Sequence, residues 1–291
     1  MFILAHLSDL HMAAKPELAQ LLSKRGLGYI NWQRKRKYVH RPDVLEAVTR
    51  DLKAQKFDHI AVTGDLVNLS LPDEYAAANA WLAAFGNGRD VTVVPGNHDV
   101  YVRAAEHMPA DFWGDYMRGD DGLDRFPFVR RRGNVALIGL STGVATGPFM
   151  ATGRLGARQL ARLADALEQT RGAFRVVLIH HPPRSPLRRT LRRLVDSAAL
   201  RRVLADKGAE LLLHGHDHRA SFVLLDGPNG KTIPAVGAPS ASADAPHGDE
   251  DGAGYYLFTI DGTDGNWRCA MRPRMRGLDG TIRDGERRTL I

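Results

Sequence analysis

HIAVTGDLVN, residues 59–68, is an apolar run with strand character that stops at Asp65 and Asn68, and four other stretches of the chain are built the same way. LAHLSDLHM (4–12) stops at Asp9 and His11, and VTVVPGNHD (91–99) at Asn97, His98 and Asp99. RVVLIHHPP (175–183) stops at His180 and His181, and LLLHGHDH (211–218) at His214 and His216. A parallel sheet gathers the carboxyl ends of its strands along one edge, so five such endings bring carboxylates, imidazoles and an amide into one crevice. That is the composition of a two-metal hydrolytic site.

The alternation around these stretches sets the fold class. Helical patterns over 42–55, 72–85, 156–170 and an Arg-rich 185–205 alternate with strands over 57–64, 91–94, 135–140, 174–179 and 210–213. Such alternation implies a mixed, mostly parallel sheet covered by helices. From Phe222 onward the strands are short and separated by Asp226-Gly227 and Asp261-Gly262, which reads as antiparallel pairing. Together the halves predict an α/β sandwich of two sheets flanked by helices. The stretch from Tyr101 to Phe128 reads as loop-rich.

A chain of 291 residues with 44% apolar content has ample material for a core, and the ligand clusters span residues 9 to 216, which favours one domain over 1–272. Residues 273–291 are polar, Arg-rich and aperiodic, and read as a loosely held tail. Cys269 stands alone, so thiolate metal sites and internal disulfides are excluded. The first apolar run has no basic region before it and carries His6, Asp9 and His11, so it reads as a core strand and not an export signal. No window reaches the roughly 20 apolar residues of a membrane span, and with the lone cysteine this points to the cytoplasm, possible contact with a membrane surface apart. A net charge of +7 favours anionic partners without choosing among them.

Mixed carboxylate, amide and imidazole donors suit Mn, Fe, Zn or Co and disfavour a pure Mg or Ca site. Two pairs at i,i+2 at strand ends, Asp9/His11 and His214/His216, have both side chains placed on one face by the strand pleat. Asp65 between them has two oxygens with which to bridge two cations, while Asn97 adds a neutral oxygen and His180 an imidazole. A cation pair roughly 3.5–4 Å apart activates water and neutralises a phosphoryl group under in-line attack. His98, one residue past a ligand, is placed to protonate a leaving oxygen.

In order, these motifs are Asp9-Leu-His11, Gly64-Asp65-Leu-Val-Asn68, Gly96-Asn97-His98-Asp99, His180-His181-Pro182 and the HGHDH of residues 214–218. The series resembles the calcineurin-like metallophosphoesterase superfamily over roughly 210 residues. The resemblance implies a four-layer αββα sandwich and two metal ions, most readily Mn, Fe or Zn. One would be held by Asp9, His11 and His216, the other by Asn97, His180 and His214, with Asp65 bridging. It further implies that His98 sits near the leaving group, oriented by Asp99 or another carboxylate, and that His180 rather than His181 is the ligand. The HHPP form of the fourth motif is shared with cyclic-nucleotide and glycerophosphodiester hydrolases of that superfamily.

Several further residues carry weaker signals. His6 lies on the opposite side of the first strand and reads as a buried, hydrogen-bonded histidine; His218 reads as a solvent-facing or supporting residue; His40 carries no positional signal. Asn68 either contacts substrate or fixes its loop. Residues 12–41, free of acidic residues after Glu17, read as a basic-aromatic cap inserted near the site, with a short helix at Leu18, Leu21 and Leu22. Its segment from Lys24 to Lys37 is either a solvated surface or, through Leu27, Tyr29, Ile30 and Trp32, a contact with an anionic membrane. Arg184 and Arg188 begin a cationic helical side close behind His180 and are candidate substrate contacts. The function expected is hydrolysis of phosphodiester or pyrophosphate bonds by a metal-bound hydroxide. The alternatives are a lipid-linked substrate such as a UDP-diacylglucosamine pyrophosphate at the membrane surface, and a non-catalytic interaction protein, which predicts missing ligands where none is missing. Nucleic acid is a weaker partner, since basic surface alone is sequence-independent adhesion.

Overall fold

The apolar runs become strands of two sheets in a computed structural model that describes residues 1–21 and 24–291, with all of their side chains except those of Lys35, Leu187, Arg188 and Arg189. The first sheet contains β1 (Phe2–Leu7), β2 (His59–Val62) and β3 (Val91–Val93), parallel to one another. The second contains β4 (Phe128–Arg132), β5 (Val135–Gly139), β6 (Phe174–Leu178) and β7 (Leu211–His214). β8 (Ser221–Asp226) and β9 (Thr232–Gly237) finish that sheet, in the order β4-β5-β6-β7-β9-β8, with β5, β6, β7 and β9 parallel. β10 (Gly254–Thr263) returns to the first sheet antiparallel to β1, followed by β11 (Asn266–Arg276), β12 (Ile282–Asp284) and β13 (Arg288–Thr289).

Alternation along the strands builds the layers. In β6, Val176 and Leu178 face the core shared with the first sheet, whereas Val177 packs with Leu160, Leu163 and Leu167 of α6 (Ala157–Gln169) and Leu200 and Leu204 of α7 (Ser197–Lys207). On the other flank Val44, Leu45, Val48 and Leu52 of α3 (Pro42–Lys53) and Tyr75, Ala78 and Leu82 of α4 (Pro72–Ala83) cover the first sheet. This is the four-layer αββα sandwich. A short α5 (Met108–Trp113) interrupts the stretch expected to be loop, and buries Trp113 against Tyr75.

Three expectations need correction. Residues 273–291 are not a loose tail: β11 runs through Arg276, and β12 and β13 pair with it. Arg274 and Tyr255 both bind the Asp51 carboxylate of α3, which pins the sheet edge to the helix layer. The Arg-rich helix over 185–205 is broken. A 3-10 turn covers Leu187–Arg192, then an extended stretch pairs with residue 153 before α7 begins. Leu194 is buried there. The short helix expected at Leu18, Leu21 and Leu22 is a 3-10 turn over Leu18–Leu21; Leu22 lies outside the described residues.

The inserted segment consists of α1 (Lys24–Asn31), a π-helical turn over Trp32–Arg36 and a last turn, α2 (Lys37–Val39). Arg25 fastens it by donating to the Leu69 and Ser70 carbonyls. Gly28 lets α1 approach closely, because a Cβ there would meet Leu69 and the Tyr101 hydroxyl. The segment forms one wall of a cleft of about 560 Å3 over the strand ends.

Candidate metal centre

The strand ends bring Asp9, His11, Asp65, Asn97, His180 and His216 to one place, but loops beyond the strands aim them. Asp9, His11, Asp65, His216 and His218 all have φ between 49° and 71°, the left-handed region that non-glycine residues seldom occupy. The loop after β1 runs beside the loop after β2, with the amides of Asp9, His11 and Met12 donating to the carbonyls of Gly64, Asp65 and Leu66. Strain of this kind persists only where surrounding structure enforces it, and it clusters at functional sites. Gly96 and Gly215 permit the approach of neighbouring loops, since a Cβ on the first would strike Asp65 and on the second Ser8 and Asp9.

Two groups of donors flank Asp65. On one side His180 Nε2 lies 3.3 Å from Asp65 Oδ2, 3.2 Å from Asn97 Oδ1 and 3.1 Å from His216 Nδ1. On the other, His218 Nε2 lies 3.2 Å from Asp9 Oδ1 and 3.0 Å from His11 Nε2. The outward nitrogens are held by acceptors: His180 Nδ1 donates to the Thr63 carbonyl (2.7 Å), His216 Nε2 to the Arg192 carbonyl (2.7 Å) and His218 Nδ1 to Glu250 (2.9 Å). Each such bond fixes the ring and turns its other nitrogen inward, where it is a ligand once it carries no proton.

This donor set fits bound cations. Asp9 Oδ1 is buried and accepts no hydrogen bond in spite of its histidine neighbours. Donor atoms about 2.1 Å from one ion stand about 3.0 Å apart in octahedral and about 3.4 Å apart in tetrahedral arrangement, which brackets the separations above. Burial favours neutral imidazoles, and His11 and His216 are held well below the ordinary histidine range by it. At His180 and His218 burial acts the same way but is outweighed by Asp65 and Asp9 respectively, and both rings rise to about 9. Burial also opposes ionisation of Asp65, yet His180 and His98 together keep it well below the usual carboxylate range. Asp9, opposed by burial and favoured by His218, is lowered too.

The last motif is therefore shifted by two residues from its expected register: His216 stands with Asn97 and His180, and His218 with Asp9 and His11. His214 is the final residue of β7 and is in none of the His and carboxylate clusters among the described residues. Its ring packs over Gly237, and its Nδ1 donates to the adjacent Gly215 carbonyl. Of the HH pair, His180 faces Asp65, while His181 turns to Thr142 and the Ala151 carbonyl. His6 is buried against Thr63.

Asp99 does not touch the His98 ring. Its carboxylate accepts the backbone amides of Asp65, Leu66, Val67 and Gly96, and so builds the loop that carries Asp65. His98 is oriented instead by the Asn68 carbonyl, 2.5 Å from Nδ1, and its backbone amide donates to Asp65. Burial and the neighbouring Arg36 push its ring down to about 3, so it is neutral. Arg184 is half-exposed, 3.8 Å from Asp226 and outside the cleft; the Arg188 side chain lies outside the described residues.

Three functional neighbours escaped the sequence reading. Arg36 reaches into the centre from the inserted segment. His40 packs its ring 4.3 Å from His11 and holds Ser242 through Nδ1. Glu250 orients His218. Only the charge run around Arg36 carried any signal, and it read as part of a cap near the site, either a solvated surface or a contact with an anionic membrane.

A sandwich with two imidazole-carboxylate groups sharing one aspartate defines a dinuclear metal-site fold. Residues 2–220 match the calcineurin-like phosphoesterase family, and the chain belongs to it. No match was found among curated protein sequences. Among solved structures the chain is similar to a purple acid phosphatase from yellow lupin (Lupinus luteus) seeds, with a TM-score of 0.60 and 12% identity over 97% of this chain and 52% of that one. It is similar also to the sulfate thiohydrolase SoxB of Thermus thermophilus, with a TM-score of 0.55 and 20% identity over 97% and 58%. A third is the NAD nucleotidase of Haemophilus influenzae, with a TM-score of 0.51 and 11% identity over 98% and 53%. The chain thus spans little more than half the length of each, and the likeness is one of fold. Among the described residues no helix is long and apolar enough to cross a membrane.

Proposed function

We propose that the protein is a phosphoesterase that loads two divalent cations, Mn, Fe or Zn, and hydrolyses phosphodiester or pyrophosphate bonds. The observation that carries this reading is the inward aim of three imidazoles whose outer nitrogens are tied, on either side of Asp65. Asp9, His11, Asp65 and His218 would hold one cation and Asp65, Asn97, His180 and His216 the other. Bound there, the pair supplies activated water and charge neutralisation at the phosphoryl group.

The protein's own groups do the rest. His98 faces the cleft beside Asp65, and its Nδ1 proton is committed to the Asn68 carbonyl, so proton transfer to a leaving oxygen belongs to Nε2. In the resting arrangement Nε2 accepts from Arg36 at 2.9 Å. An incoming anion that takes over the Arg36 donor frees Nε2 and raises the ring's proton affinity, so that Nε2 takes up a proton from water and passes it to the leaving oxygen. Asn68 fixes the loop and the ring together, through its carbonyl to His98 and its Oδ1 to Arg36.

The test is turnover of bis(p-nitrophenyl) phosphate by metal-reconstituted protein. Asp65→Ala is expected to abolish turnover and deplete both metals, and His98→Ala to keep the metals and slow turnover about 10²–10⁴-fold. Full activity of Asp65→Ala would remove the bridging role. A panel of cyclic nucleotides, glycerophosphodiesters and nucleotide-sugar pyrophosphates would then assign the substrate.

A second reading, a lipid-linked substrate met at a membrane surface, is favoured by apolar residues at the cleft mouth. Leu27 is 46% exposed and Phe149 83%, both among the residues lining the cleft, and Ile30 and Tyr38 are exposed on the same inserted segment. Co-sedimentation with anionic vesicles should be seen at low salt, fall as salt rises, and weaken in a Leu27→Ser, Phe149→Ser protein. Failure to bind at every salt concentration would remove this reading.

A further inference from the structure

We infer that Arg36 is a phosphoryl-oxygen receptor brought to the metal centre by the inserted segment, an inference that rests on the hydrolase reading. Arg36 ends the π-helical turn that separates α1 from α2. One extra residue in a turn rotates the next side chains by about 100° against a continuous α-helix. Such bulges give up hydrogen-bond geometry and recur at functional sites. Here the turn directs into the cleft a guanidinium from a run of cations whose member Arg34 is exposed.

The guanidinium makes no ion pair among the described residues; the carboxylates of Asp65 and Glu250 act on it only from beyond ion-pair distance. Nη1 donates to Asn68 Oδ1 at 3.1 Å and to His98 Nε2 at 2.9 Å, and Nη2 lies 3.4 Å from His11 Nε2. None of these three partners is an anion. No carboxylate forms an ion pair with Arg36 among the described residues, nor with Lys24 or Arg192, which line the same cleft. Elsewhere arginines are paired, as Arg41 is with Asp43, Arg175 with Glu210 and Arg274 with Asp51. A guanidinium taken from water without an anion is costly, and a planar fork of N–H donors suits two oxygens of one phosphoryl group.

Placement selects which phosphoryl group. Arg36 touches His98 and His11, and His98 in turn binds Asp65 through its backbone. An anion reaching Arg36 from the cleft therefore lies against the centre, whereas Lys24 in the cleft wall is turned to Tyr101 and Thr146. The ligand is the phosphoryl group of the bond to be cut or of the product. It exchanges with His98 for the same Nη1 donor.

Calorimetric titration of inorganic phosphate into the full-length, Mn-loaded protein tests this without reference to turnover. Arg36→Gln is expected to weaken phosphate binding about 10–100-fold, Arg36→Lys less, and Arg34→Gln, which removes the same charge from the exposed face, not at all. Elemental analysis should find equal metal content in all four proteins. Unchanged phosphate affinity in Arg36→Gln at equal metal content would overturn the assignment. So would metal loss in Arg36→Gln, which would make Arg36 a support of the centre, or a metal-loaded wild type that binds no phosphate. A wild type that takes up no metal would instead remove the underlying hydrolase reading.

Discussion

Lys24 stands half-buried in the cleft wall, its ammonium 4.2 Å from the centre of the Tyr101 ring and donating to Thr146 and the Met150 carbonyl. Burial pushes it down to about 8. The cation is present below that pH and lost above it, so kcat/KM for an anionic diester should fall as pH rises through about 8 in the wild type. Lys24→Gln should lack that limb, and a limb that survives the substitution would assign it elsewhere. At this scale most of the centre was readable, because Asp9, His11, Asp65, Asn97 and His180 each follow an apolar run. The closing HGHDH was not. Three histidines two apart offer two equivalent registers, and what chooses between them is the left-handed backbone at His216 and His218 together with the placing of His214 inside β7. The pleat argument for Asp9 and His11 does not apply, since β1 ends at Leu7 and the loop beyond it does the aiming.

β11 shows how an element hides in polar sequence. Cys269, Met271 and Pro273 alternate into the core while its arginines take the opposite face, a period-2 pattern masked by charge. Asp51 of α3 holds it through Arg274 and the Tyr255 hydroxyl at 2.6 Å. Asp51→Ala should therefore lower unfolding stability by about 2–3 kcal/mol in urea titrations, because it leaves a largely buried guanidinium short of its partner. A change of a few tenths would mean that the edge is held by strand pairing alone. The broken Arg-rich helix reflects the same competition: Leu194 is buried in an extended segment, and the 3-10 turn before it ends with the Arg192 carbonyl against His216. The π-helical turn left no mark in composition or spacing, so the approach of Arg36 to the centre was not legible.

Across the whole molecule, the two sheets bring strand ends from residues 9 to 218 to one edge, and Glu250 joins them from beyond the stretch matched to the family. The layers were legible because apolar periodicity changes between strand and helix. The inserted segment's part was not, because its cations read alike whether they face water or the cleft. In the proposed centre seven side chains, Asp9, His11, Asp65, Asn97, His180, His216 and His218, hold two cations. The number of metal ions per chain, by elemental analysis after reconstitution, tests this in wild type, His218→Ala and His214→Ala. Two, fewer than two, and two are expected in that order. Full loading of His218→Ala together with loss from His214→Ala would refute the seven-residue centre.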